Sequence, residues 1–187
     1  MKQIHLKHYV FLDTINDIIK KNIIKFKDIN IIVNVNHNNK QNVWAELPII
    51  NFAKKHKIPF LIKNSYKKAI RFQANGIFID SNNKKTTKPL IFKKKFLIIG
   101  SAHNQFEYYI KLKQNCEVIS LSPIFMNNKY SKNKILGVVK FNLITKNWKT
   151  QVCALGGINE KTLKKVKITS ANSVAFSSLI KKNPATI

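Results

Sequence analysis

Arginine is almost missing from this chain: of its 34 basic side chains only Arg71 is not a lysine. Recognition of duplex bases and phosphates favours the planar, bidentate guanidinium fork. The formal net charge of +26 therefore does not by itself mark a nucleic-acid partner. Lysine, asparagine and isoleucine are all abundant, and all three have A/T-rich codons, so a nucleotide bias accounts for the charge. A lysine-rich surface also keeps a globular protein in solution. Lysine-driven nucleic-acid binding stays as a third reading, to be recognised by steep salt dependence. Cysteine is scarce too. Cys116 and Cys153 stand at the starts of expected strands without metal-ligand spacing, and read as reduced core thiols. No apolar run approaches the roughly 20 residues that span a bilayer, and the N-terminus lacks the apolar core and cleavage site of a signal peptide. A cytoplasmic protein is expected.

What is present is alternation. The 187 residues, 44% hydrophobic, suit one domain over 1–187 with a substantial core. Short apolar runs expected to be strands are His8–Leu12, Asn30–Val35, Pro59–Lys63, Gly76–Ile79, Phe96–Ile99 and Glu117–Leu121. Between them lie helical patterns. Thr14 is read as the cap of a helix with Ile15, Ile18, Ile19, Ile23 and Phe26 at helical spacing, Trp44 to Lys57 as a second helix with Pro48 early in it, and Tyr66 to Gln73 as a third. Asn75-Gly76 reads as the stop after that third helix. The segment 81–95 has Pro89 and little amphipathy and reads as loop. A helix with Phe106, Tyr109 and Ile110 inward follows, and Leu136 to Ile144 forms another.

The stretch from Gln151 to Ile180 supplies the last two strands. Val152–Leu155 is a buried-strand pattern, Gly156-Gly157 a turn whose amides can approach an anion, and Asn159 the cap of a helix with Thr162, Leu163 and Val166. Ser173–Phe176 is the eighth strand, ending at Ser177 and Ser178. Eight strands with intervening helices predict a (β/α)8 barrel, shortened and with an abbreviated last helix. In such barrels the loops after strands seven and eight commonly hold a phosphate.

The ordered motifs G-S-A-H, E-V-I-S-L-S-P-I-F, L-G, A-L-G-G-I-N and S-V-A-F-S-S-L-I resemble the thiamine phosphate synthase superfamily, which also contains the thiazole tautomerases. The resemblance covers residues 59–180, and the first third only by pattern. It implies a barrel that joins a pyrimidine diphosphate to a thiazole phosphate and releases pyrophosphate, with Mg2+ on the diphosphate. It places Gly156, Gly157, Ile158, Ser177 and Ser178 around the thiazole phosphate, and Ser101 and His103 among the substrate contacts. Lys129 and Lys132, flanking Ser131, fall near the leaving group, although an ungapped match gives Asn127, Asn128, Lys129 and Tyr130 instead.

The departures from the family matter as much. The usual Asn-Asp after strand three is Lys63-Asn64, the acidic residue after strand four is Asn83, and the Gln-x-Arg-Glu-Lys element after strand two is only N-V-N-H-N-N, leaving Asn34 and Asn36 for the pyrimidine. Mg2+ prefers anionic oxygen, for which neutral amides are poor substitutes. Asp80 is the compensating candidate metal ligand, with Asp13 behind it. Asp80 also reads as a cap for the turn that follows, Gly156-Gly157 as a simple tight turn, His103 as a helix cap or solvated side chain, and the loop lysines as solvated charge. Three functions stay open. The first is a synthase with Lys63, Asp80 and His103 in catalytic roles. The second is a tautomerase that needs only the phosphate cradle and a proton-transfer group such as His103, and the third is the nucleic-acid binder. A homodimer is also open.

Overall fold

The eight apolar runs become eight parallel strands closed into a barrel in chain order, β1 to β8. In this computed structural model the described residues are 6–34, 45–86, 96–127 and 131–181. The strands are β1 (Lys7–Leu12), β2 (Ile29–Val33), β3 (Phe60–Lys63), β4 (Gly76–Ile79), β5 (Leu97–Ala102), β6 (Val118–Leu121), β7 (Gln151–Leu155) and β8 (Ser173–Phe176). The described helices are α1 (Asp17–Ile24), α2 (Leu47–Lys55), α3 (Tyr66–Arg71), α4 (Gln105–Lys113), α5 (Gly137–Thr145) and α6 (Glu160–Val166). Closure pairs β1 with β8, Lys7 beside Ser173 and Val10 beside Phe176. A shortened (β/α)8 barrel is what the alternation predicted.

Strand periodicity divides the core in two. Side chains alternate between the two faces of a barrel strand. One set, including Tyr9, Ile32, Leu61, Phe78, Ile99 and Val118, fills the barrel interior. The intervening residues, such as Val10, Ile31, Ile62, Ile77 and Ile119, pack outward against the helices in a larger cluster. Both faces are buried, so each strand reads as a continuous apolar run.

Several local expectations are corrected. Asn16, not Thr14, caps α1, its side chain accepting from Ile19 N at 2.9 Å. Ile18 is turned outward while Asn22 is buried and donates to Ile180 O at 3.0 Å. Helix α2 begins at Leu47, with Pro48 in its first turn. Helix α4 does not face inward through Phe106 and Tyr109, which are 68% and 55% exposed. Its inner face is Tyr108, stacked on Trp148 at 4.2 Å, and Lys111. Strand β5 runs on through Ala102, so Ser101 lies within the strand and not in a loop.

The exits from the helices show how a chain with five glycines turns corners. Asp28, Lys57, Gln73 and Asn115 take left-handed backbone with φ between 53° and 57°. Gln73 therefore stops α3, and the Asn75-Gly76 signal comes too late because Gly76 already begins β4.

Candidate functional site

All strands run the same way, so every loop that follows a strand opens on one end of the barrel. That end gathers functional residues in this architecture. The strand period says which side chains face the mouth. Asp13, Asn34, Lys63, Asp80 and Ser101 lie two residues beyond Phe11, Ile32, Leu61, Phe78 and Ile99 of the interior set, hence on the same face. An apolar floor, on which Phe11 meets Phe78 edge to face at 4.9 Å, thus carries a polar rim.

Part of the rim is one connected group. Asp80 Oδ2 accepts from Asn64 Nδ2 at 2.7 Å and stands 3.6 Å from Lys63 Nζ. Asn64 Oδ1 accepts from Asp80 N at 3.0 Å. Asp80 Oδ1 accepts from Asn83 N at 3.0 Å, the turn-capping role foreseen as an alternative. The structure therefore joins Lys63, Asn64 and Asp80, all three expected from sequence. Asn34 donates to Asp13 Oδ1, and Lys181 lies 3.8 Å from Asp13 Oδ2. Among the described residues no group of three or more His, Cys, Asp or Glu is arranged to hold a metal. Both Asp80 oxygens already accept hydrogen bonds, Asn64 Oδ1 is engaged by Asp80 N, and Asn83 Oδ1 accepts from Lys85 N at 3.2 Å. With an ammonium beside the carboxylate, this donor set does not fit a protein-anchored Mg2+, which wants anionic oxygens in octahedral array.

His103 continues the group. Its Nδ1 is 2.8 Å from Ser122 O and 3.2 Å from Ser122 Oγ. A carbonyl can only accept, so Nδ1 carries a proton, and in the neutral ring Nε2 presents a lone pair. Ser81 Oγ, at 3.2 Å, donates to it. The His103 backbone N donates to Glu107 Oε2 at 2.7 Å, which fixes the entry to α4. A groove of about 680 Å³ includes His103, Ser122, Leu136 and Lys140. It lies toward α4 and α5 and is not lined by Lys63, Asp80, Gly157 or Ser178, so it is a side opening and not the mouth itself.

The loops after β7 and β8 meet at the same end. Gly156 and Gly157 adopt φ of 97° and 69°. A Cβ on Gly157 would overlap the carbonyls of Phe125 and Met126. The β6 and β7 loops are zipped together, Ile124 N donating to Leu155 O and Phe125 N to Gly156 O, both at 3.0 Å. Ser178 Oγ donates to Ile158 O at 3.3 Å, joining the β8 loop to the β7 loop. Ile158 itself is buried in the outer core. Among the described residues none accepts from the backbone N–H groups of Gly157, Ser177 or Ser178, so an anion between these loops would meet unpaired donors.

Ser101 is 6% exposed and sits in register beside Ser120 within the barrel wall. Lys132 is exposed and opens a short 3-10 turn, Lys132–Lys134, apart from the connected group. Asn36 and Lys129 lie outside the described residues.

The sequence reading missed Ser81, Ser122 and, above all, Lys111. This lysine is fully buried, and its three ammonium protons go to Asp80 O at 2.6 Å, Asn83 O at 2.9 Å and Gln114 Oε1 at 2.9 Å. Gln114 Nε2 donates to Asn83 O and Lys85 O, both at 2.9 Å. Burial pushes the Lys111 pKa down. The available signal was position: Lys111 and Leu112 follow Tyr108 at the i+3 and i+4 spacing of one helix face.

Comparison with known proteins places this geometry. Over 142 residues the chain is 28% identical to the thiamine-phosphate synthase of Prochlorococcus marinus subsp. pastoris, covering 74% of this chain and 40% of that protein. Over 128 residues it is 27% identical to the thiamine-phosphate synthase of Flavobacterium psychrophilum, covering 65% and 62%. The chain thus spans less than two thirds of the length of these curated relatives. Its fold is similar to that of thiamine phosphate pyrophosphorylase from Pyrococcus furiosus, with a TM-score of 0.67 at 16% identity over 92% of this chain and 86% of that one. The thiamine monophosphate synthase (TMP-TENI) family model matches residues 19–180, from the first helix through the last strand and the turn that follows it, and the chain belongs to that family.

Proposed function

We propose that the protein is a thiamine phosphate synthase-like transferase that joins hydroxymethylpyrimidine diphosphate to thiazole phosphate. The observation that carries this reading is the connected rim from Lys63 through Asp80, Ser81 and His103 to Ser122, on the same barrel end as the Gly157 and Ser178 loops. The thiazole phosphate sits against the N–H groups of Gly157, Ser177 and Ser178, which turns the thiazole nitrogen toward the rim. The C–O bond from the pyrimidine methylene to the diphosphate breaks, its electron pair leaving with pyrophosphate, and the thiazole nitrogen lone pair forms the new C–N bond. Catalysis then needs close placement of the two rings and neutralisation of the departing charge. Lys63 supplies a point charge for that purpose, and Lys129 and Lys132 are the further candidates. Asn34 and Asn36 are placed in the sequence to bond the pyrimidine, and Ser101 lines the wall below. Asp80, with both oxygens occupied, serves to hold Lys63 and Asn64.

A second reading, thiazole tautomerase, is favoured by one detail. With Nδ1 fixed on Ser122 O, His103 Nε2 is held as a proton acceptor, as a proton-transfer enzyme requires. Incubating the protein with both thiamine precursors, with and without Mg2+, separates the two. Thiamine phosphate formation that falls in Lys63→Ala supports the synthase. No coupled product under any Mg2+ concentration, together with tautomerisation that disappears in His103→Ala, replaces it by the tautomerase.

A further inference from the structure

We infer that the buried Lys111–Gln114 pair is a positioning device for the mouth, holding the loop after β4 so that Asp80 and Ser81 meet Lys63 and His103. The inference rests on the synthase reading of the mouth. Its ground is the way this loop is held. After β3, β5 and β7 the chain enters a capped helix within a few residues, and the helical ladder fixes the start of the loop. After β4 the described chain, residues 80–86, is turn and coil. A side chain from the neighbouring helix α4 takes the place of that ladder.

The geometry is specific. Asp80 O and Asn83 O are the two ends of a four-residue turn closed inside by Asp80 Oδ1 on Asn83 N. One ammonium grips both ends, and the Gln114 amide grips Asn83 O again and Lys85 O. Ser81, between those ends, then presents its hydroxyl to His103 Nε2. The lysine stem lies directly against β5, since a Cβ on Gly100 would sit 2.8 Å from Lys111 Cδ. Simple space filling does not require a charge there. Methionine occupies a similar volume without the cost of desolvating an ammonium, and such apolar replacement of buried ionic groups is often neutral or stabilising. What methionine cannot do is hold two carbonyls in one place.

The test uses Lys111→Met in the full chain, with hydrogen exchange and steady-state kinetics read side by side. Asn83 N, protected by Asp80 in the parent, should exchange at least about tenfold faster once the turn opens. The kcat for thiamine phosphate formation should fall roughly 10- to 100-fold, the scale on which small misplacements act. The KM for thiazole phosphate should stay within about twofold, because the β7 and β8 loops are untouched. Tyr108→Phe on the same helix removes the hydroxyl that accepts from Lys149 N and should leave both readouts as in the parent, which separates positioning from general weakening of α4. Gln114→Leu carries the same readouts if Lys111→Met does not fold. Unchanged exchange at Asn83 overturns the clamp. Faster exchange with unchanged kcat overturns the positioning role. A parent protein that forms no coupled product overturns the synthase reading instead, and the exchange result alone then stands for the clamp.

Discussion

Gly157→Ala and Gly137→Ala form a matched pair that isolates the contact between the β6 and β7 loops. Both glycines have nearly the same left-handed backbone, φ 69° and 66°. An added Cβ on Gly137 meets nothing within 4 Å, whereas on Gly157 it overlaps the carbonyls of Phe125 and Met126. Each alanine bears the left-handed penalty of about 1–2 kcal/mol. Only Gly157→Ala must also push backbone aside, and forced overpacking adds about 1–3 kcal/mol, loosening the two loop hydrogen bonds made by Ile124 N and Phe125 N. For a chain of this size each kcal/mol moves Tm by about 2–4 °C. Gly137→Ala should therefore lower Tm by about 2–8 °C and Gly157→Ala by about 4–20 °C, the second always the larger, in a calorimetric scan of the two variants beside the parent. Equal losses would refute the packing of Gly157 under the β6 loop. A bulky residue at 157 is for the same reason no clean test of anion binding, since it displaces that loop first. Ser178→Ala, which adds no atom and removes only the hydroxyl that ties the β8 loop to Ile158 O, is the better probe of the cradle.

Two further outcomes are expected. Lys57→Gly and Gln73→Gly relieve left-handed strain at helix exits and should each raise stability by about 0.5–1 kcal/mol in urea unfolding; loss of stability in both would contradict the assigned backbone. Burial holds the thiols of Cys153 and Cys116 up at about 11 and about 12, against 9.0 for a solvated thiol. At each cysteine the unfolded chain thus binds fewer protons than the folded one above pH 9, so that thiol's contribution to stability is full below that pH and falls by about 1.4 kcal/mol per pH unit up to about pH 11. Cys153→Ala should make the profile shallower than the parent's by about that amount per pH unit between pH 9 and about pH 11, and an unchanged slope would show that this thiol is not one of its sources.

The architecture was legible because each strand is buried on both faces, so eight apolar runs could be counted without knowing their partners. Ser173–Phe176 and Gly76–Ile79 coincide with their expected bounds for this reason. What escaped the sequence depends on long-range supply of partners. Helix α4 offers Phe106, Tyr109 and Ile110 as an apolar stripe, yet its inner face is Tyr108 and Lys111. The carbonyls that make burial of Lys111 tolerable come from residues 80 and 83, about thirty positions earlier. The i+3 spacing from Tyr108 does mark Lys111, but in a chain crowded with lysine that mark does not stand out. Asp80 could be placed at the mouth from the strand period, but its hydrogen bonds to Asn64 and Asn83 belong to the folded loops alone. The tight turn and the capping role were both readable as alternatives, and at Asp80 the cap is realised.

The amides around Asp80 have a physical logic once Lys63 is included. A fixed metal site requires several anionic oxygens held together, and their mutual repulsion must be offset by the ion. Here the single carboxylate is held by two amide donors, Asn64 Nδ2 and Asn83 N, and stays in place whether or not a cation is near. Lys63 and Asp80 side chains are each about a quarter exposed, 27% and 26%, and 3.6 Å apart. A pair so placed contributes only about 0–1 kcal/mol. An arriving diphosphate brings more charge than one carboxylate, so on the proposed reading the ammonium can turn from Asp80 to the substrate at small cost. The amides keep Asp80 ordered while it does so. On that reading Asp80 is the resting acceptor of a mobile cation, kept in place by its hydrogen bond with Asn64.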